Sequence, residues 1–99
     1  MVSMRYIVIS TTRYEKSYKK LEHSGKLKQK AKNKLEEAID ILASGKKMPA
    51  QYEDHQLVGE LGEYRECHIK GDLLLMYQIK REELLLILIN IGTHSYLGI

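Results

Sequence analysis

The chain carries four histidines, and three of them, His55, His68 and His94, stand among carboxylates. His55 lies in Asp54-His55-Gln56-Leu57, His68 closes the run Glu66-Cys67-His68, and Asp72 follows shortly after. An imidazole near neutral pH both takes and gives a proton, so this set suits general acid–base catalysis. Cleavage of RNA needs such a pair. One group removes the 2′-hydroxyl proton, another protonates the departing 5′-oxygen, and a cation steadies the crowded phosphorus. A zinc site built from His55, His68 and His94 is the competing chemical reading. No H-x-H or H-x-x-x-H spacing supports it. His23 ends a Lys-rich segment and reads as a cation at a helix C-terminus.

A scaffold of 99 residues must position these groups, and that length is one domain, residues 1–99. The β-branched and aromatic run Met4 to Ile9 predicts a first strand. Thr12 with Glu15 fits a capping box, and Tyr14, Tyr18 and Leu21 continue as one helical stripe to Ser24-Gly25. A second stripe, Leu27, Ala31, Leu35, Ala38 and Leu42, predicts a helix over 26–43 closed by Ser44-Gly45. Together they describe a helical hairpin. The polar, aperiodic stretch Gln51 to Gly62 predicts a long loop, of the kind that carries function. Three strands follow, over 63–69, 73–79 and 84–91, joined by the short turns Lys70-Gly71-Asp72 and 80–83. The order β-α-α-β-β-β is an α+β fold, a helical hairpin packed on a small, largely antiparallel sheet.

Strand alternation divides the residues around His68. Tyr64, Glu66 and His68 share one face, whereas Arg65, Cys67 and Ile69 share the other. The apolar pair Cys67 and Ile69 is expected to meet the helices, which leaves Glu66 and His68 on an open face where His55 and His94 can join them. Cys67 then points away from His68, against a Cys/His metal site or nucleophilic pair. A single cysteine also excludes an internal disulfide and fits a reducing compartment. The opening Met1-Val2-Ser3-Met4-Arg5 does not read as a secretory signal, and no apolar run approaches membrane-spanning length, so a cytoplasmic protein is expected.

The net charge of +3 averages two unlike halves: residues 1–50 carry 12 Lys+Arg against 5 Asp+Glu, and residues 51–99 carry 4 against 8. Most of the basic residues crowd onto the hairpin, among them Lys16, Lys19, Lys20, Lys28 and Lys32. Such a face is either solvated, or it contacts phosphates or an acidic protein.

Three ordered motifs then carry a resemblance. Met48 to Gly59 resembles P-x-x-Y-x-D-H-x-L-x-G, Tyr64 to Tyr77 resembles R-E-C-H-I-x-x-D-x-L-L-x-Y, and Gly92-Thr93-His94-Ser95 resembles G-[ST]-H-S. These are motifs of YafQ-type toxins in the RelE/ParE superfamily of type II toxin–antitoxin systems. The resemblance implies a ribosome-dependent mRNA endonuclease (an mRNA interferase) held silent by a cognate, acidic, partly disordered antitoxin in a hetero-oligomer. It implies no cofactor, no metal and no membrane partner. By position it makes His55, His68, Asp72, His94 and Glu66 the catalytic set, with His94 as leading general acid. Arg65, Lys16, Lys19, Lys20, Lys28, Lys32 and Tyr96 are the expected substrate contacts. The chain departs from its relatives at Asn90, where many carry Arg, at Leu73, and at the terminal Gly98-Ile99, where an aromatic is usual. The alternative reading is a non-catalytic or degenerate member that acts only by binding antitoxin or another protein.

Overall fold

The computed structural model describes residues 5–99. β1 (Ile7–Ser10) leads into α1 (Thr12–His23), and α2 (Gln29–Ala43) follows a short connection. A 3-10 turn at Ala50–Tyr52, β2 (His55–Gln56) and a second 3-10 turn at Gly59–Leu61 make up the long connection to the sheet. β3 (Arg65–Lys70), β4 (Leu73–Lys80) and β5 (Leu85–Gly92) come next, and one helical turn, α3 (His94–Leu97), ends the chain. The strands form one sheet in the order β1-β5-β4-β3-β2, and only the β1–β5 pair is parallel. The expected α+β architecture is the one observed, with a fifth strand: β2 lies inside the segment read as loop.

Local choices explain most of the boundaries. Met4 lies outside the described residues. Tyr6 is buried, and its N–H donates to the Ala43 carbonyl at 2.6 Å, so it is tied to the end of α2 and the strand begins at Ile7. α1 is capped by Thr11, not by the expected Thr12–Glu15 box. The Thr11 hydroxyl accepts from the Tyr14 N–H at 3.1 Å and lies 2.9 Å and 3.0 Å from the Leu88 and Ile89 carbonyls as donor. A cap that also bonds β5 outcompetes one that satisfies only its own turn. α1 closes as expected: Gly25 takes φ +75°, and the Gly25 and Lys26 N–H groups return to the Glu22 and Leu21 carbonyls. α2 begins at Gln29, later than the stripe predicts, although Leu27 of that stripe is buried.

Tyr14, Leu35, Ala38 and Leu42 from the helices meet Cys67, Ile69, Leu75, Tyr77, Leu86, Leu88 and Ile91 from the sheet in one core. Leu75, Leu86 and Ile91 are wholly buried, so truncating any of them to Ala costs about 2–5 kcal/mol. Cys67 and Ile69 therefore do face the helices. β5 carries one extra residue, Ile89, since Met76 pairs with Asn90 while Tyr77 pairs with Leu88. Such a bulge re-aims the strand beyond it, which is the stretch that leads to His94.

Candidate active site

β3 supplies Glu66 and His68 in alternate positions, as the strand period requires. β2 pairs antiparallel with β3 and sets His55 opposite Glu66. His55 Nε2 lies 3.0 Å from Glu66 Oε1, and its Nδ1 lies 2.8 Å from the Glu53 carbonyl. A carbonyl only accepts, so Nδ1 donates to it and Nε2 is the atom that faces the Glu66 carboxylate. Glu66 is buried, not on an open face as expected, and its Oε2 has no hydrogen-bond partner. Its strand neighbour across β4 is the buried Met76.

The remaining groups come from the two ends of the β4–β5 hairpin. Asp72 sits in the β3–β4 turn and His94 opens α3, and His94 Nδ1 lies 3.0 Å from Asp72 Oδ1. That carboxylate accepts a hydrogen bond from Nδ1–H and leaves Nε2 as the atom able to give or take a proton. The His68 ring centre stands 5.7 Å from that of His94, edge-on, and His68 Nδ1 lies 3.7 Å from Glu53 Oε2. Glu53 is a left-handed residue with φ +45°, a conformation that costs a side-chain-bearing residue free energy and turns the chain into β2. Nothing in the residue pattern singled out Glu53; its part depends on that turn.

Glu66, His68 and His94 each offer one ligand atom, all within 4.8 Å of one another, so these three could hold a metal ion. The three-His combination of the sequence reading is not the one brought together. His55 is engaged by Glu53 and Glu66, and a carboxylate takes its place.

Arg65 stands apart from the expected substrate contacts. It lies on the helix face of β3, where its Nη2 donates to Asp54 Oδ2 at 2.8 Å and its Nε to the Tyr77 hydroxyl at 3.3 Å. The buried Tyr77 hydroxyl also donates to Asp54 Oδ1. The hydrogen bond to Asp54 holds the Arg65 guanidinium above its ordinary pKa, and burial together with Asp54 pushes the Tyr77 phenol up. Asp54 thus anchors the loop on one face of the sheet while its neighbours Glu53 and His55 serve the other. The Arg65–Tyr77 pairing in the β3–β4 register was the available signal for this anchor.

Of the hairpin lysines, Lys16 and Lys20 flank Tyr96 of α3: Lys16 shares a cavity wall with it, and Lys20 Nζ is 5.8 Å from its ring centre. Lys19 lines a different surface with Tyr14, Glu15 and Tyr18. Lys28 is exposed at the start of α2, and Lys32 donates to Glu22 at 2.7 Å, a hydrogen bond that lowers the Glu22 pKa and raises that of Lys32. Tyr96 is half exposed, and its hydroxyl lies 2.8 Å from Ser17 Oγ. Asn90 is buried and accepts from Ser17 at 2.6 Å and from the Ile91 N–H at 2.9 Å.

A two-helix layer on a five-stranded, mostly antiparallel sheet, with three histidines and three carboxylates gathered at one end, defines a small α+β bacterial toxin of a type II toxin–antitoxin system. The chain belongs to the YafQ family, described as "Bacterial toxin of type II toxin-antitoxin system, YafQ", which it matches over residues 6–98. It is 32% identical to the mRNA interferase toxin YafQ of Escherichia coli K12 over 85 residues, which is 85% of this chain and 90% of that one. Among solved structures it resembles the toxin of the E. coli DinJ-YafQ toxin-antitoxin complex, with TM-score 0.80 and 29% identity over 94% of this chain and 97% of that one. It resembles equally a metal-bound toxin from Helicobacter pylori, with TM-score 0.80 and 37% identity over 95% and 99% of the two chains. Among the described residues, no helix is long and apolar enough to cross a membrane.

Proposed function

We propose that this toxin is a ribosome-dependent mRNA endonuclease that cleaves by attack of the 2′-hydroxyl, without a metal, and that a cognate antitoxin silences it. The observation that carries the reading is the His94–Asp72 pair at 3.0 Å with the His68 ring beside it. Asp72 orients His94 and stabilises its imidazolium, so Nε2 is the proton donor for the departing 5′-oxygen. His68, with the Glu53 carboxylate behind it, is the base for the 2′-hydroxyl. His55, held between the Glu53 carbonyl and Glu66, is the imidazole that contacts the phosphate, a role for which neither Asn90 nor Arg65 is free. Lys16, Lys20 and Tyr96, next in line from His94, receive the flanking RNA, the ring by stacking and the lysines by phosphate contact. The similar E. coli toxin forms a toxin-antitoxin complex with DinJ; here the acidic antitoxin assembles with the basic hairpin and the sheet.

The test is cleavage of a defined message on purified ribosomes. His94→Ala should reduce the rate by roughly 10²–10⁴-fold, the contribution of a positioned acid, and leave the melting temperature unchanged because the side chain is half exposed. The products should carry 2′,3′-cyclic phosphate and 5′-hydroxyl ends, with EDTA having no effect. A 3′-hydroxyl and 5′-phosphate would exclude 2′-hydroxyl attack, and an undiminished His94→Ala rate would exclude the acid assignment.

Glu66 favours a second reading. Its unpartnered Oε2, beside His68 and His94, offers a carboxylate and two imidazoles to a divalent transition metal, and a similar toxin is metal-bound. Zinc or copper there takes the lone pairs that the nuclease needs, so binding would inhibit. Calorimetry should show one equivalent bound by the wild type and none by His68→Ala; an equivalent retained by that variant, or none bound by the wild type, removes this reading.

A further inference from the structure

α3 has only the four residues His94–Leu97, and one helical turn has no stability of its own in water. Its place must come from contacts. The Tyr96 ring lies on the buried Gly92, where a Cβ would come within 2.5 Å of the ring. The hydroxyl end of the same side chain enters a hydrogen-bonded chain whose direction is determined by its members. The Ile91 N–H donates to the Asn90 side chain at 2.9 Å, so the atom facing it is the carbonyl oxygen, which only accepts. Ser17 Oγ, 2.6 Å from that oxygen, must therefore give it its single proton. At the 2.8 Å contact with Ser17, Tyr96 is then the donor. Ser17 and Asn90 are both buried, 2% and 8% exposed, so neither exchanges its partner for water at little cost.

We infer that Tyr96, through Ser17 and Asn90, is a positioning residue for His94, in a role that the ring alone does not fill. The inference rests on the reading of His94 as the acid. The chain Tyr96 O–H to Ser17 O–H to Asn90 joins α1, the end of β5 and α3, and so holds His94 against Asp72, which belongs to a different turn. Asn90 is accordingly a structural acceptor in this protein. A shift of about 1 Å in a catalytic group can cost on the order of a hundredfold in rate.

Tyr96→Phe keeps the ring on Gly92 and removes only the donor, and Ser17→Ala breaks the chain without changing any residue of α3. Both should lower the single-turnover cleavage rate on saturating ribosomes roughly tenfold or more, with ribosome affinity unchanged. The double variant should be no worse than the poorer single one, because the two act as a unit. The same variants are followed by NMR of the His94 ring in the free toxin, where loss of its fixed seat shifts or broadens the signal while that of His55 stays. Normal cleavage by Tyr96→Phe, together with loss in Tyr96→Leu, would overturn the proposal in favour of stacking alone. An unmoved His94 signal would overturn it too. A wild type that cleaves nothing would sink the nuclease reading, and the NMR comparison would still decide whether Tyr96 seats His94.

Discussion

Replacing Glu66 by Met should make this protein more stable and less active. The side chain is 3% exposed, its cross-strand neighbour is Met76, and one of its two oxygens has no partner. An unsatisfied buried acceptor costs about 1–3 kcal/mol, and the carboxylate pays desolvation besides. Against this stands the 3.0 Å contact with His55, whose ring is half exposed and recovers water when the contact is lost. Met matches the volume of Glu and stands opposite Met76, so the net gain is about 1–2 kcal/mol. For a chain of this size that raises the melting temperature by roughly 5–15 °C. Calorimetry on antitoxin-free toxin measures the first effect, and message cleavage on ribosomes the second. Activity should fall because His55 loses the carboxylate that seats its ring. An equal or lower melting temperature would mean that Oε2 is solvated and carries no such cost. Full activity in Glu66→Met would place Glu66 outside the chemistry.

Three further outcomes follow from the buried groups. Burial, and then the negative charges of Asp54 and Glu66, push the Cys67 thiol up to about 12, so it should resist alkylation at pH 8 in the native state and react fully in denaturant; rapid native labelling would contradict its burial. Tyr14 and Tyr77 are likewise raised, chiefly by burial, so the native state keeps protons that the unfolded chain loses from about pH 9 upward. Their contribution is complete below about pH 9 and falls progressively as the pH rises past the unfolded tyrosine value of about 10; a urea midpoint that stays level from pH 8 to 11 would refute this. Tyr77→Phe leaves the Asp54 carboxylate with Arg65 alone and should cost about 1–3 kcal/mol in urea unfolding. It should also lower cleavage, since Asp54 anchors the loop that carries Glu53 and His55; wild-type cleavage would show that the loop holds its place without Tyr77.

Much of the framework was legible as local pattern. The period of two in β3 separated Cys67 and Ile69 from Glu66 and His68, and the helix-facing role of that first pair is what the core shows. The stripes of both helices and the glycine at Gly25 followed from spacing and backbone preference alone. Local pattern misled where a distant group offered a better bond. Thr11 displaced Thr12 as cap because the Leu88 carbonyl was within its reach, and Tyr6 left the strand for the Ala43 carbonyl. It was silent on Glu53, whose role depends on a left-handed turn, and on Ser17, an ordinary helix residue until Asn90 and Tyr96 meet it.

The residue types at His55, Glu66, His68, Asp72 and His94 are the basis of the proposed proton transfer, because such transfer depends on what a side chain is. Which of them pair is a matter of register and closure. Glu66 meets His55 because β2 folds back along β3, and Asp72 meets His94 because β4 and β5 return the chain past its own turn. The bulge at Ile89 and the buried chain from Tyr96 to Asn90 set the last step of that return. Periodicity acts within an element, whereas these contacts join residues 11 to 79 positions apart, and only the packed sheet brings them within hydrogen-bond reach.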